Sequence, residues 1–263
     1  MNDFYLYRNA WISAPHYDKR LTDNQCYEML SCGGWLVRNT YDFDCQDKTN
    51  FWYIIKDSFD GMAEHTSNER RKIRKALKSY DYKIVDKQII AENGLEIIKS
   101  ALEYYPVKDR TMNEKIFQGY LDSWTVENHE FWGAFDKKNN KLGGFIVVRL
   151  YDNACFYDLV MVHPDCKHNA TYPYYGFFYS LNEYYLGKKH FRYVTDGSRS
   201  ITEHSNIQPF LEHVFKFRKA YCKLKIHYKW WFGIAVRMLY PFRNIIPNKS
   251  VQAVLKMHGM QTK

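Results

Sequence analysis

No apolar run in this sequence approaches the ~18 residues that a membrane-spanning helix needs. The nearest candidate, Trp230 to Leu239, is about half that length and carries Arg237, so no transmembrane segment is expected. The six cysteines, Cys26, Cys32, Cys45, Cys155, Cys166 and Cys222, contain no CxxC pair, and the opening MNDFYLYRNAW is polar and aromatic rather than a secretion signal. Free thiols in a reducing, cytoplasmic setting are expected, with a peripheral place at the inner membrane surface as the variant of that reading. Zinc-finger spacing and RNA-recognition signatures are missing, which argues against sequence-specific nucleic-acid binding. A Gly-rich dinucleotide loop is missing too, which argues against a Rossmann enzyme.

The chain has 263 residues, enough for one large domain or two small ones with a sizeable core. Hydrophobic residues make up 46% and predict a globular chain, while 23 Tyr, 17 Phe and 7 Trp supply core volume and flat surfaces for ligands. The net charge of +9 favours polyanions: nucleic acid, anionic lipid or a phosphorylated cofactor such as coenzyme A. Charge alone does not choose among them.

Along the chain, GGWLVRNTYDF and NFWYIIKDSF read as strands of a small N-terminal sheet. SNERRKIRKALKSY reads as a basic amphipathic helix with Ser67 as N-cap, a narrow stripe of Ile73, Ala76 and Leu77, and cations elsewhere. DYKIVD reads as a strand, and LEIIKSALEYY and EKIFQGYLDSW as helices. HEFWGAFD and LGGFIVVRLYD form a hairpin, because Asn139 and Asn140 between them tolerate positive backbone angles. ACFYDLVMVHP is a third strand, followed by helix YPYYGFFYSLNEYYLG, strand FRYVTDG, helix IQPFLEHVF and strand RKAYCKLKIHY. In the tail, WWFGIAVRMLY is read as a helix docked on the domain, a membrane-surface contact being the alternative.

This order, with Val162, His163 and Pro164 closing the central strand and Phe215, Lys216, Phe217 and Arg218 as the later turn, resembles the GNAT N-acyltransferase superfamily. SNERRKIRKALKSYDYKI also resembles an element of Fem-type aminoacyltransferases, which are built on two GNAT-like domains and modify peptidoglycan precursors. The resemblance implies an α/β (α+β) fold with a mixed, mostly antiparallel sheet flanked by helices. The implied organisation is an extension over 1–60, an acyltransferase domain over 61–228 and a helical tail over 229–263. The chain departs from the pattern in two places. HPDCKHNATYPYYG replaces the R/Q-x-x-G-x-G/A loop that cradles the coenzyme A pyrophosphate, and Glu212 stands where a general-acid Tyr is often found.

The resemblance implies acyl transfer from acetyl-CoA or another acyl-CoA to an amine, by direct attack in a ternary complex, without a metal. An amine of pKa near 10 must first lose its proton. Asp158, Glu203 and His204 are the candidate bases, and Tyr221, Tyr157 or His213 the candidate acids. The donor would lie along Leu159, Met161 and Val162, with Lys167, His168, Asn169 and Asn206 as further contacts. Thr195, Asp196 and Arg199 follow a buried-looking strand and suit the acceptor, although Asp196 and Gly197 equally suit a plain turn. His163, Cys166 and His168 lie too close together to make a metal site without a further partner. Two alternatives stay open: aminoacyl transfer from aminoacyl-tRNA to a cell-wall or lipid-linked precursor, and a non-catalytic binding module of the same fold. In the first, Arg70, Arg71, Arg74 and Lys75 would hold tRNA phosphates or an anionic membrane surface.

Overall fold

The structure, a computed structural model, describes residues 4–7, 9–104, 111–201 and 207–262, and for His168 the backbone alone. In chain order the strands are β1 (Phe4–Tyr7), β2 (Ala10–Ser13), β3 (Leu36–Tyr41), β4 (Phe51–Lys56), β5 (Tyr80–Val85), β6 (His129–Asp136), β7 (Leu142–Leu150), β8 (Ala154–Val162), β9 (Tyr193–Ser198) and β10 (Arg218–Tyr228). The helices are α1 (Asp23–Ser31), α2 (Ser67–Ser79), α3 (Lys87–Glu103), α4 (Glu114–Ser123), α5 (Pro164–His168), α6 (Pro173–Asn182), α7 (Ile207–Phe215), α8 (Trp230–Leu239) and α9 (Lys249–His258). They form two compact units, one from residues 1–54, 198–203 and 219–263, the other from 55–197 and 204–218.

The first unit orders its strands β1-β2-β3-β10-β4. β1 and β2 are antiparallel, β2 and β3 parallel, β3 and β10 antiparallel. Helix α1 starts at a capping box in which Thr22 and Gln25 satisfy each other's backbone N–H groups. It then packs Cys26, Met29 and Leu30 over Val37. Only three of its nine residues are buried, which explains why the sequence pattern predicts no helix there.

The second unit orders its strands β9-β8-β7-β6-β5, all antiparallel neighbours except the parallel pair β8 and β9. The expected hairpin is present, with Asn140 at φ 56° in its turn. Helices α3 and α4 cover one face: Ile90, Ile97, Ile98, Phe117, Leu121 and Trp124 pack on Phe131, Phe145, Val147 and Met161. Each such side chain contributes about 1.5–3 kcal/mol by burial. The other face is covered by α6 and α7, where Phe178, Phe210 and Phe215 stack with centroids 5.6–6.1 Å apart. Helix α2 lies along α6 and buries Ile73 and Ala76 as expected. Its N-cap is Thr66 rather than Ser67: Thr66 and Glu69 close a capping box, and Ser67 becomes the first helical residue. At the end of β4, Lys56 is 1% exposed and its ammonium lies 2.7 Å from Glu64.

The resembled turn is also in place. Lys216 adopts φ 59°, a conformation that favours glycine, and Phe217 N–H closes back on Leu211 C=O at 3.2 Å. The chain thereby reverses at the end of α7 and enters β10.

Candidate active site

The parallel ladder between β8 and β9 is short. It pairs Ala154 with Tyr193, Cys155 with Val194 and Phe156 with Thr195, while β8 itself runs on to Val162. From Tyr157 onward, the edge of β8 that faces β9 therefore lies outside the ladder. On its other edge a bulge falls at the same point. Val148 pairs with Tyr157 and Val147 with Leu159, leaving Asp158 as the extra residue. An open strand edge beside a bulge presents backbone N–H groups to whatever occupies the gap. Leu159, Met161 and Val162, expected along the donor, lie on this stretch, and the side chains of Leu159 and Met161 pack into the α3/α4 core.

Asp196 stands one residue past the last ladder pair. Its residue is half-buried, and loss of solvation pushes its carboxyl up from 3.8 to about 7, opposed by a side-chain hydrogen bond with Gln208 on α7. A carboxyl near neutrality accepts a proton from an amine far better than an ordinary aspartate does. Tyr157 borders it on the α6 side. Its hydroxyl donates to Asn182 Oδ1 at 2.9 Å, and burial, with Cys155 and Asp196 nearby, drives its pKa well upward. Asn182 is fully buried, and its Nδ2 finds no partner among the described residues. Just beyond, Gly197 takes φ 92° and donates its N–H to Thr195 Oγ1 at 2.9 Å, so the Thr195 side chain shapes the turn that follows Asp196.

Asp158 is on the opposite face of the sheet. It accepts from Arg149 Nη2 at 2.9 Å and lies 3.9 Å from His129 Nε2, while the other nitrogen of His129 is 3.0 Å from Thr125 C=O. Burial holds His129 below the usual histidine range. The Asp158 carboxylate is thus already engaged by a guanidinium. Of the two acids, Asp196 has the environment a proton acceptor needs.

The loop after β8 does not have the open backbone of a coenzyme A cradle. Helix α5 is a single turn capped by His163, whose side chain accepts from Asp165 N–H. Asn169 Oδ1 accepts from Thr171 N–H, Ala170 and Tyr172 both take φ 57°, and α6 begins at Pro173, which has no N–H to offer. Gly176, the glycine nearest this helix start, is already filled: a Cβ there would meet the Tyr82 ring at 2.2 Å, and Tyr82 Oη donates to Pro173 C=O. Lys72 and Lys75 of α2 lie over the Tyr172 ring at 5.5 and 5.8 Å.

The remaining expected residues are scattered. Lys167 and Asn169 are exposed on the loop. Arg199 lies in the first unit, where its guanidinium donates to Asn50 C=O at 2.9 Å. Tyr221 is in β10 of the same unit, its carbonyl accepting from Cys45 N–H. Glu203, His204 and Asn206 lie outside the described residues, and so does the side chain of His168. On α2, Arg70 is engaged with His65 C=O and Ser67, while Arg71, Arg74 and Lys75 are exposed. Sequence reading did not find Asn182 or Gln208, which have no motif and meet Tyr157 and Asp196 only through the fold. A cavity of about 850 Å³ in the first unit has Arg20, Lys223 and Lys225 on its wall. Lys223 and Lys225 face Asp42 and Asp23 at 2.6 and 3.3 Å, so the cavity presents balanced charge rather than a reacting group.

Among the described residues no cluster of three metal-binding side chains occurs, and no helix is long and apolar enough to cross a membrane. No protein-family profile and no curated protein sequence matches the chain. Solved structures do. FemX superposes with a TM-score of 0.51 at 11% identity, over 65% of this chain and 59% of FemX. L-PGS from Bacillus licheniformis gives 0.46 at 9% identity over 80% of this chain and 67% of that one. A GCN5-related N-acetyltransferase from Kribbella flavida gives 0.35 at 13% identity over 83% and 50%. The chain thus shares the mixed, mostly antiparallel fold of FemX, and it spans 59% of the length of FemX.

Proposed function

We propose that the chain transfers an acyl group to an amine by direct attack in a ternary complex, with Asp196 as the base. The observation that carries this reading is the coincidence of three features at one point: the end of the β8/β9 ladder, the bulge at Asp158, and a carboxyl near neutrality at Asp196. Asp196 takes the proton from the acceptor ammonium, and the free amine attacks the donor carbonyl. The developing oxyanion meets backbone N–H groups on the open edge of β8. Collapse of the adduct breaks the carbonyl bond to the leaving group, which departs with the proton given up by the newly acylated nitrogen.

For the donor, aminoacyl-tRNA is favoured over acetyl-CoA. The filled position at Gly176 and the proline at the start of α6 work against a pyrophosphate there, whereas Arg71, Arg74 and Lys75 leave a cationic helix face for a nucleic-acid backbone. The test is thermal unfolding with tRNA, acetyl-CoA and free coenzyme A in parallel. A midpoint raised by tRNA, eroded by salt and lost when the three cations become Glu, is the expected result. A rise with sub-millimolar acetyl-CoA and none with tRNA would overturn the donor assignment, and silence with all three would favour a non-catalytic module. With the donor in hand, Asp196→Asn should lower kcat by about 100-fold or more.

A further inference from the structure

Helix α8 shows its apolar side to the outside. It buries Gly233 and Val236, whereas Trp230 is 78% exposed, Met238 68%, Ile234 48% and Trp231 43%. At about 100° per residue these four fall within roughly one quarter to one third of the helix circumference. The turn after the helix continues the patch with Phe242 and Ile245, 54% and 76% exposed. Single exposed apolar residues are ordinary on any protein, but a contiguous face of this kind marks a contact.

Charge identifies what the face would meet. From Lys229 to Lys263 the chain has six Lys or Arg and no Asp or Glu. Arg237 is exposed in the last turn of α8, Lys249 is exposed at the start of α9, and Arg243 stacks over Tyr240 at 4.5 Å. Two copies meeting through this face would bring these cations together without a counter-charge. A lipid headgroup layer instead offers anions to the cations and an acyl boundary to the apolar side chains, and tryptophans settle at that boundary. Ten residues are too few to span a bilayer, so the helix would lie in the plane of the interface.

We propose that α8 and the turn behind it form a docking face for the surface of an anionic lipid bilayer. The experiment uses the full chain with phosphatidylcholine vesicles and with vesicles carrying about 30 mol% phosphatidylserine. Co-sedimentation is read together with the blue shift of tryptophan emission. The wild type should bind the anionic vesicles, bind the neutral ones weakly, and dissociate as salt rises. Two sets of exposed substitutions, Ile234→Ser with Met238→Ser, and Arg237→Glu with Lys249→Glu, should each weaken partitioning roughly tenfold. Circular dichroism and the unfolding midpoint, both unchanged, show that each variant is folded. No binding to anionic vesicles overturns the proposal. So does equal binding by the wild type and the Ile234/Met238 variant, or a concentration-dependent dimer that those substitutions dissolve in the absence of vesicle binding.

Discussion

Replacing Asp196 by Asn should make the protein more stable above neutral pH and leave it unchanged in acid. The folded chain holds this carboxyl at about 7 against 3.8 for the free group, because burial disfavours the charged form. Between those values the folded state binds the proton and the unfolded state has lost it, so stability falls as pH rises through the window. Below 3.8 both states are protonated and no penalty exists; above about 7 the penalty is complete. A displacement from 3.8 to about 7, at ~1.4 kcal/mol per decade, corresponds to ~4 kcal/mol. Since the residue is only half-buried, ~2–4 kcal/mol is the working range. Asn cannot ionise and keeps a polar partner for Gln208, so the variant resembles the protonated wild type at every pH. Urea unfolding of both proteins at about pH 4.5, 6 and 8 gives the difference directly. It should be small at the lowest pH, about 1 kcal/mol or less, and grow in favour of the variant, while transfer activity is lost. Parallel stabilities over the whole range, or a variant weaker at pH 8, would refute the placement of Asp196 in a desolvated pocket and with it the assigned base.

Three other expectations can be checked by equilibrium unfolding. Gly176→Ala forces a methyl to within 2.2–2.4 Å of the Tyr82 ring and should cost about 1–3 kcal/mol; in a Tyr82→Ala background the same change should instead gain ~1 kcal/mol from helix propensity. Lys216→Gly relieves a φ of 59° and should stabilise by about 1 kcal/mol. Asp158→Ala removes the carboxylate that accepts from Arg149 and should cost ~1–3 kcal/mol.

The order of elements in the second unit was legible because its signals are local. Alternating or apolar strands, an Asn in the hairpin turn and a Phe-Lys-Phe-Arg reversal each leave a trace in a few adjacent residues. Helix α1 left little trace, since Cys26, Met29 and Leu30 are its only buried residues in a polar segment. The cap of α2 was displaced by one residue because Thr66 and Ser67 have equivalent hydroxyls, and Glu69 decides between them by reaching the Thr66 N–H at 2.7 Å. At the site, Asp158 and Asp196 look alike as letters. One is paired with a guanidinium contributed by β7 and the other is deprived of water under α7, and both circumstances depend on residues distant in sequence. Gln208 and Asn182 carry no signature at all.

The bulge at Asp158 acts as a phase shift in β8. Tyr157 packs on Phe178 of α6, yet Leu159 and Met161, which would share its side in an unbroken alternation, point into the α3/α4 core. Everything downstream of the extra residue is thus read in the other frame. Removing Asp158 altogether would restore strict alternation and leave Leu159 and Met161 on the α3/α4 side, because Leu159 would then directly follow Tyr157. Deletion at 158 would therefore close the bulge without changing which side chains reach the α3/α4 core, whereas one further residue not absorbed by the bulge would invert the end of the strand that borders the gap.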